Sequence, residues 1–392
     1  MSWHSCSKQI EITDQTAHAC TIPHVGGDPL AASAFDFTPD EFHLAAAMCS
    51  HMHPIASGAA SPEAQMIRSL VAQHVDDVRP DFAIESTADS FKDFVKSYFS
   101  GTVGTGLTYL AMIRSGYNWA GHFEHLKPAT TIGRTPDFVF SAHGKGTCLV
   151  ESKGTRSTTR KTFDDTVENG YLKQVEGHLG KLLSNGARAT HGYCVGAWMT
   201  SVSKAELLVH HSKAAAIGGI GSSTGSDIPA SDERSLSLVQ RQDAASMFSV
   251  VFGAGYGEAI RNGTFEEVPL LIKFDWLDRK WITPVNVHPL GRTRLEFADW
   301  ALDDAWGFGR PIYAIEAGTA RTLLAHFQGG FEPGEPFEGL EPLSQDFMFR
   351  ARRLGDGAVL PDGLALVRGW RWSNVRLARW NAGTKTIETL RS

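Results

Sequence analysis

Two acidic residues and a lysine stand at a spacing that suits metal-dependent hydrolysis of phosphodiester bonds. Asp137 follows Pro136 at the start of one apolar stretch, and Glu151 and Lys153 end the next apolar stretch. Hydrolysis of a phosphodiester needs a metal ion that neutralises the phosphoryl charge and acidifies a water molecule, and Mg²⁺ prefers a few carboxylate oxygens. Asp137 and Glu151 are therefore candidate metal ligands.

The strands expected around these residues would bring the side chains together. The sequence predicts strands over 136–141 and 147–152, separated by a turn-prone segment. Neighbouring strands lie roughly 4.8 Å apart, so the two carboxylates can converge. Side chains alternate along a strand, so Glu151 and Lys153 point to the same face. Lys153 would then lie beside the metal, where positive neighbours depress its pKa and let it orient or deprotonate water.

The surrounding sequence predicts a mixed α/β core. Apolar residues at helical spacing indicate one or two helices over 91–116, with a glycine-rich interruption at 101–106. Further strands are expected at 122–126 and 191–198. The strand at 122–126 would form a meander with those at 136–141 and 147–152, and a helix from residue 171 would lie between this meander and the strand at 191–198. The element order is helix, three strands, helix, strand.

The motif and this element order together resemble the PD-(D/E)xK nuclease superfamily. Residues 136–137 supply the PD and residues 151–153 the ExK, and the elements match the αβββαβ core over about residues 90–200. The resemblance implies a restriction-endonuclease-like core within an α/β protein. It also implies a helical N-terminal region and a β-rich C-terminal region outside that core.

The same resemblance assigns roles to particular residues. It implies that Asp137 and Glu151 bind Mg²⁺ or Mn²⁺, together with the backbone carbonyl of Ser152. It gives Gln174, in the helix after the ExK strand, a supporting role near the metal or DNA. These residues join Lys153 as the expected catalytic site.

The sequence departs from the superfamily at one ligand position. Many members carry a glutamate on the first helix that completes the metal site, whereas the comparable residues 103–107 contain no carboxylate. Either Glu124 or another acid substitutes, or the site holds one metal with two protein carboxylates.

Other interpretations of these residues stay open. Asp137 could start a strand at a turn, with Glu151 and Lys153 forming a cross-strand surface pair. A second triplet of the same kind, at 278–280, is flanked by tryptophans and has no Pro-Asp at a suitable distance before it. We interpret that triplet as an exposed hairpin turn.

Cations follow the ExK motif directly. Residues 154–161 contain Arg156, Arg160 and Lys161 with four hydroxyl side chains, which predicts a flexible loop that contacts phosphates without reading bases. The alternative is a solvated loop whose charge is balanced by the two aspartates that follow it.

Two further clusters have less direct interpretations. Residues 350–392 carry eight Arg and one Lys against three acids, although the whole chain has a net charge of -6. The arginines alternate with tryptophans around residues 370–372. This alternation suits stacking on bases, and it equally suits an amphipathic strand whose tryptophans lie in the core. The run Cys49-x-His51-x-His53 could take zinc, but it contains no CxxC pair, and a histidine at a helix end also suits the helix dipole.

Composition bounds the class of protein. The 392 residues are 42% hydrophobic and 20% charged, which is typical of a soluble globular protein of two or three domains. No stretch approaches the roughly 18 apolar residues of a membrane helix, so we expect a cytoplasmic protein without a membrane partner. Five scattered cysteines fit reduced thiols better than disulfides.

Four segments are predicted along the chain. They are an N-terminal helical subdomain over 1–85 with a helix at 40–52, the nuclease core over 86–212, a flexible linker or insertion over 213–232, and a C-terminal α+β region over 233–392 that selects the substrate.

The expected function is metal-dependent hydrolysis of DNA by an endonuclease of restriction, phage defence or repair, by analogy with the superfamily. The sequence contains no P-loop, so any ATPase would be a partner chain, and self-association stays open. The alternative is a nuclease-fold protein that has lost turnover and acts as a nucleic-acid-binding or assembly module. An unrelated hydrolase ranks last, because neither a nucleophile elbow nor an HExxH pair is present.

Overall fold

The computed structural model describes residues 3–390 apart from 5, 23–24, 51–59, 129, 132, 157–158, 201–203, 216–230, 266, 286–310, 330–336, 356 and 369–372. Within these described residues the protein is a mixed α/β structure with two seven-stranded sheets. The chain divides into two compact units, which are residues 1–52, 64–243 and 333–336, and residues 53–63, 244–332 and 337–392. None of the helices it describes is long and apolar enough to span a bilayer.

The first sheet has a mixed strand arrangement. Its strands are β1 (Lys8–Cys20), β2 (Ala34–Phe37), β3 (Trp119–His122), β4 (Phe138–Ala142), β5 (Gly146–Thr155), β6 (His191–Trp198) and β7 (Glu206–Ala214). They lie in the order β2-β1-β7-β6-β5-β4-β3. β3, β4 and β5 form an antiparallel meander, whereas β5 and β6 run parallel. β5 therefore lies inside the sheet, which accounts for its apolar first half.

Helices cover both faces of this sheet. The helices that lie wholly or partly in the first unit are α1 (Pro39–Ser50), α2 (Ala60–His74), α3 (Asp93–Arg114), α4 (Phe123–Leu126), α5 (Arg160–Gly170) and α6 (Ser231–Phe252). A π-helical turn over Tyr171–Val175 extends α5. The side chain of Ser152 on β5 contacts α3, while the neighbouring Glu151 lies against Gly170 of α5. Because successive side chains of a strand point to opposite faces, α3 and α5 lie on opposite sides of β5.

Two glycines bring α3 and β5 into backbone contact. A Cβ atom on Gly104 of α3 would lie 2.6 Å from the Cα atom of Gly154, and one on Gly154 would lie 1.7 Å from the carbonyl oxygen of Ser100. The helix is continuous through residues 101–106, so the predicted interruption there is wrong. Packing against β5 outweighs the cost of about 1 kcal/mol for each helical glycine.

The N-terminal region is not a helical subdomain. The predicted helix is confirmed as α1, but β1 and β2 precede it, and β1 pairs in parallel with β7. Ile10 and Ile12 of β1 are buried while Gln9 is exposed, which is the alternation of a strand with one face in the core. The boundaries predicted near residues 85 and 212 do not coincide with those of the two compact units.

Several elements of the predicted core differ in their bounds. β6 has the predicted residues 191–198, and the two strands around the motif shift by a few residues. The strand predicted at 122–126 is wrong. β3 ends at His122, and the residues that follow form α4. The helix expected from residue 171 begins at Arg160, because the Thr159 hydroxyl accepts a hydrogen bond from the Thr162 N–H and caps it.

The second unit is rich in strands, as expected from the sequence. Its strands are β8 (Leu271–Trp276), β9 (Arg279–Pro284), β10 (Pro311–Glu316), β11 (Gly357–Val359), β12 (Leu364–Arg368), β13 (Ser373–Asn381) and β14 (Thr386–Thr389). The helices that follow α6 are α7 (Ala254–Asn262), α8 (Ala317–Phe327) and α9 (Gln345–Leu354). The sheet order is β11-β12-β10-β9-β8-β13-β14.

The second D-x-K triplet lies in this unit and forms the predicted hairpin. Leu277 and Asp278 join β8 to β9 at positive φ angles of 52° and 61°, as in a two-residue type I′ turn. Most of the linker predicted over 213–232, and residues 370–372 of the basic tail, lie outside the described residues.

Substitution of two glycines of α3 tests the backbone contact with β5. We expect Gly104→Ala to lower the free energy of unfolding by about 1–3 kcal/mol, because the added methyl group has no space. We expect Gly101→Ala to be neutral or to stabilise by up to about 1 kcal/mol, because a Cβ there meets nothing within 4 Å. Urea denaturation of both variants measures the difference, and equal effects would contradict the packing described.

Candidate metal centre

The candidate site lies where β5 extends beyond the start of β4. The ladder between the two strands ends at the pair of Phe138 and Val150, so the next residues of β5 lie beside Asp137. The Oδ2 atom of Asp137 accepts hydrogen bonds from the Ser152 backbone N–H at 2.9 Å and from the Ser152 hydroxyl at 2.8 Å. The Asp137 carboxylate thus takes the place of a ladder partner for β5.

Glu151 and Lys153 lie on the other face of β5 and form an ion pair. The Nζ atom of Lys153 donates to Glu151 Oε1 and, at 3.2 Å, to Gln174 Oε1. The amide nitrogen of Gln174 donates in turn to the carbonyl of Thr135 at 2.9 Å. The structure therefore brings together Asp137, Glu151, Lys153 and Gln174, with Gln174 held between the lysine and the segment that leads into β4.

Burial dominates the electrostatics of the two carboxylates. The side chain of Glu151 is 1% exposed. Its burial and the nearby charge of Asp137 raise the pKa of Glu151 to about 8, although Lys153 and Gln174 act in the opposite direction. Burial also raises the pKa of Asp137, against the hydrogen bonds from Ser152 and the charge of Lys153, and the charge of Glu124 adds to the increase. Both carboxylates therefore hold protons more strongly than exposed acids do.

The neighbours of Lys153 within the chain raise its pKa, whereas the predicted depression depends on a metal ion beside it. Burial lowers the pKa of Lys153, but the charge and hydrogen bond of Glu151 raise it by more. The charge of Asp137 raises it further, so the pKa of Lys153 lies above its usual value. The acidic groups beside the lysine favour its charged form when they are ionised. Lys153 is therefore a cation and a hydrogen-bond donor at neutral pH.

The chemistry of the oxygen atoms fits a hard divalent cation. The Oε2 atom of Glu151 is buried and has no hydrogen-bond partner among the described residues, which is costly for a carboxylate oxygen. The carbonyl of a strand residue points to the same side as its N–H, so the Ser152 carbonyl faces the side of Asp137. Two carboxylates and a carbonyl form the kind of oxygen set that Mg²⁺ and Mn²⁺ prefer.

Among the described residues, no third carboxylate completes this set. No group of three or more His, Cys, Asp or Glu side chains suited to a metal occurs in the part of the chain that the structure describes. Glu124, the expected substitute, lies in α4 and its Oε1 accepts a hydrogen bond from the Thr135 hydroxyl at 3.1 Å. In the predicted zinc run Cys49-x-His51-x-His53, the structure describes Cys49, whereas His51 and His53 lie outside the described residues.

The cations predicted for phosphate binding do not form an exposed loop. The predicted exposure of Arg156 is wrong, because its side chain is 3% exposed and pairs with Asp89 in the 3₁₀ turn at 86–90. β5 continues to Thr155, the residue before this arginine. Arg160 pairs with Glu206 at 2.6 Å, whereas Lys161 is exposed in the first turn of α5.

Two residues near the site had no signal in the sequence. Thr135 supplies the carbonyl that holds Gln174, and Thr105 of α3 lies 3.0 Å from the Ser152 hydroxyl, measured between the two side-chain oxygens. Threonines in these positions match no motif, since their contacts depend on how α3 and the segment before β4 pack against β5.

The raised pKa of Glu151 makes stability depend on pH in a defined direction. A carboxyl with a folded-state pKa of about 8 and an unfolded value of about 4.3 stabilises the fold fully below the lower value, and that contribution is lost as the pH rises through the higher one. We expect Glu151→Gln to gain stability relative to the wild type between pH 5 and pH 8.

Urea denaturation at both pH values, with a chelator present, measures this change. Glu233→Gln supplies the same substitution at an exposed glutamate of α6. A difference between the wild type and Glu151→Gln that is the same at pH 5 and pH 8 would contradict the assigned pKa.

Comparison with known proteins adds no name to this site. No protein-family model, no curated protein and no solved structure matches the chain. The function is therefore inferred from the geometry of the site and from the motif that the sequence carries.

Proposed function

We propose that the chain is a metal-dependent nuclease with a restriction-endonuclease-like core that hydrolyses phosphodiester bonds of DNA. The observation that carries the proposal is the convergence of Asp137, Glu151, Lys153 and Gln174 at the end of β5. The order of α3, β3, β4, β5, α5 and β6, with the one-turn α4 between β3 and β4, supports it, because the resemblance implies an αβββαβ order. β7, β1 and β2 extend that core on the side of β6.

Asp137, Glu151 and the carbonyl of Ser152 would hold one Mg²⁺ or Mn²⁺ ion. When bound, such an ion supplies charge neutralisation at the phosphoryl group and lowers the pKa of water. Glu151 has to release its proton to act as a ligand, because its pKa is about 8. Metal affinity is therefore expected to increase with pH in the neutral range.

Lys153 would act by donating hydrogen bonds. Its neighbours in the chain favour the protonated form of Nζ, so the lysine would orient a phosphoryl oxygen or the attacking water. Gln174 is a positioning residue in this scheme, because it binds Nζ and is itself fixed by the carbonyl of Thr135. The ammonium group is thereby held in one place without losing its charge.

Exposed cations would add affinity for the DNA backbone. Lys161 is exposed at the start of α5, the helix that packs against the Glu151 face of β5. Contacts of this type neutralise phosphates and carry no base specificity. Action in restriction, phage defence or repair, with a second copy of the chain or an ATPase chain, remains part of this proposal.

One observation favours a second candidate function. With two carboxylates among the described residues, and with the pKa of Glu151 raised to about 8, the site is a poorer metal ligand than three carboxylates of ordinary pKa would be. A protein with a nuclease fold that binds nucleic acid without cleaving it would be compatible with such weak metal ligands. Cleavage assays separate the two functions.

Substitution of the site residues tests the proposed nuclease activity. We expect Asp137→Asn and Lys153→Met to lower the cleavage rate with Mg²⁺ or Mn²⁺ by roughly 100- to 1,000-fold, as removal of charge-stabilising groups does in other enzymes. Plasmid, linear and single-stranded DNA serve as substrates. The matched variants Asp278→Asn and Lys280→Met alter the second D-x-K triplet, which lies in an exposed hairpin, and should cleave as the wild type does.

Three results would contradict the catalytic assignment. They are an absence of cleavage by the wild type with either metal, activity that survives in Asp137→Asn, and equal losses in the hairpin variants. DNA binding without cleavage would instead support the binding module.

A further inference from the structure

The first helix of the core reaches the site through a hydroxyl instead of a carboxylate. Thr105 of α3 lies with its Oγ1 atom 3.0 Å from the Oγ atom of Ser152, and the Ser152 hydroxyl donates to Asp137 Oδ2 at 2.8 Å. The Thr105 hydroxyl also donates a hydrogen bond to the carbonyl of Gly101 at 2.8 Å, one turn earlier in α3. These contacts form a chain from the helix backbone to the Asp137 carboxylate.

The direction of the hydrogen bonds follows from the number of protons. Each hydroxyl has one hydrogen to donate, and an ionised carboxylate can only accept. The hydrogen of Ser152 goes to Asp137, and the one hydrogen of Thr105 lies between two acceptors, the carbonyl of Gly101 and the Ser152 oxygen, which share it in a three-centre bond. Accepting part of this hydrogen bond makes Ser152 a stronger donor to Asp137. Both hydrogen bonds from Ser152 go to Oδ2 of Asp137, so Oδ1 is not engaged by Ser152.

The packing of α3 gives this chain its short reach. The glycine contact described above, between Gly104 and Gly154, brings the helix backbone against β5 one residue from Thr105 and two residues from Ser152. At this separation a threonine hydroxyl reaches the strand. An arrangement in which α3 stood further from β5 would break the chain at the Thr105–Ser152 step.

We propose that Thr105 is a positioning residue of the metal centre, which acts through the hydroxyl of Ser152 to hold the Asp137 carboxylate in its ligating orientation. This inference rests on the proposed function, since it assigns a role toward the metal ion of the same site. It predicts that the hydroxyl of Thr105 matters only while the hydroxyl of Ser152 is present. Groups that orient metal ligands typically change metal affinity by about 10- to 100-fold when they are removed.

A double-mutant cycle with Mn²⁺ as the probe tests the chain in the full-length protein. The dissociation constant for Mn²⁺ is measured by calorimetry or electron paramagnetic resonance, without any nucleic acid. We expect Ser152→Ala to weaken Mn²⁺ binding about 10-fold or more, and Thr105→Val to weaken it several-fold. The double variant should bind as Ser152→Ala does, because Thr105 has no route to Asp137 without Ser152.

Two control variants separate positioning from stability. Thr105→Ser keeps the hydroxyl and should restore binding to within about two-fold of the wild type. Thr166→Val removes a similar bond from a threonine hydroxyl to a carbonyl one turn earlier, 2.8 Å long and exposed on α5, and should leave Mn²⁺ affinity unchanged. Thermal denaturation of each variant confirms that it is folded at the temperature of the measurement.

The results distinguish this inference from the proposed function. Wild-type affinity in Thr105→Val, failure of Thr105→Ser to restore binding, or additive losses in the double variant would overturn the role of Thr105. Mn²⁺ binding that is absent from the wild type, or undiminished in Asp137→Asn, would overturn the metal centre itself.

Discussion

The burial of Glu151 is the constraint on which the site depends. A carboxylate that is 1% exposed loses most of its hydration, and the loss is acceptable only if nearby groups replace the water. Lys153 supplies an ion pair to one oxygen, and Gln174 holds that lysine in place. The other oxygen has no such partner among the described residues. A dry environment of this kind strengthens interactions between charges, so each nearby charge and dipole affects the site more than it would in water.

β5 supports both sides of this environment because its side chains alternate. Glu151 and Lys153 point toward α5 and the π-helical turn, while Ser152, between them, points toward α3. One short segment thus presents two charged groups on one face and a supporting hydroxyl on the other. The strand can do this only beyond the end of β4, where the Asp137 carboxylate, instead of a backbone carbonyl, accepts the Ser152 N–H.

The sequence predicted the features with local signals and failed where partners lie far apart in the chain. The motif at 136–137 and 151–153, the strand β6 and the hairpin at Asp278 follow from short patterns of apolar, charged and turn residues. The place of β1 in the sheet depends on pairing with β7, almost two hundred residues later, and no local pattern specifies that partner. The burial of Arg156 has the same origin, because Asp89 belongs to a turn in another part of the chain. The roles of the site residues were predicted from the motif and stay predictions until they are measured.

The charge balance of the proposed metal centre would suit a phosphodiester without a third carboxylate. Asp137 and Glu151, when ionised, contribute two negative charges and Lys153 one positive charge, so the three together carry one negative charge. One divalent cation would change this to one positive charge, which attracts the single negative charge of a phosphodiester. An additional carboxylate on α3 would bring the total to zero and remove that attraction. A neutral hydroxyl at Thr105 instead orients Asp137 without altering the balance. Glu124 adds negative charge nearby, but it is held by the Thr135 hydroxyl and acts on Asp137 through its field.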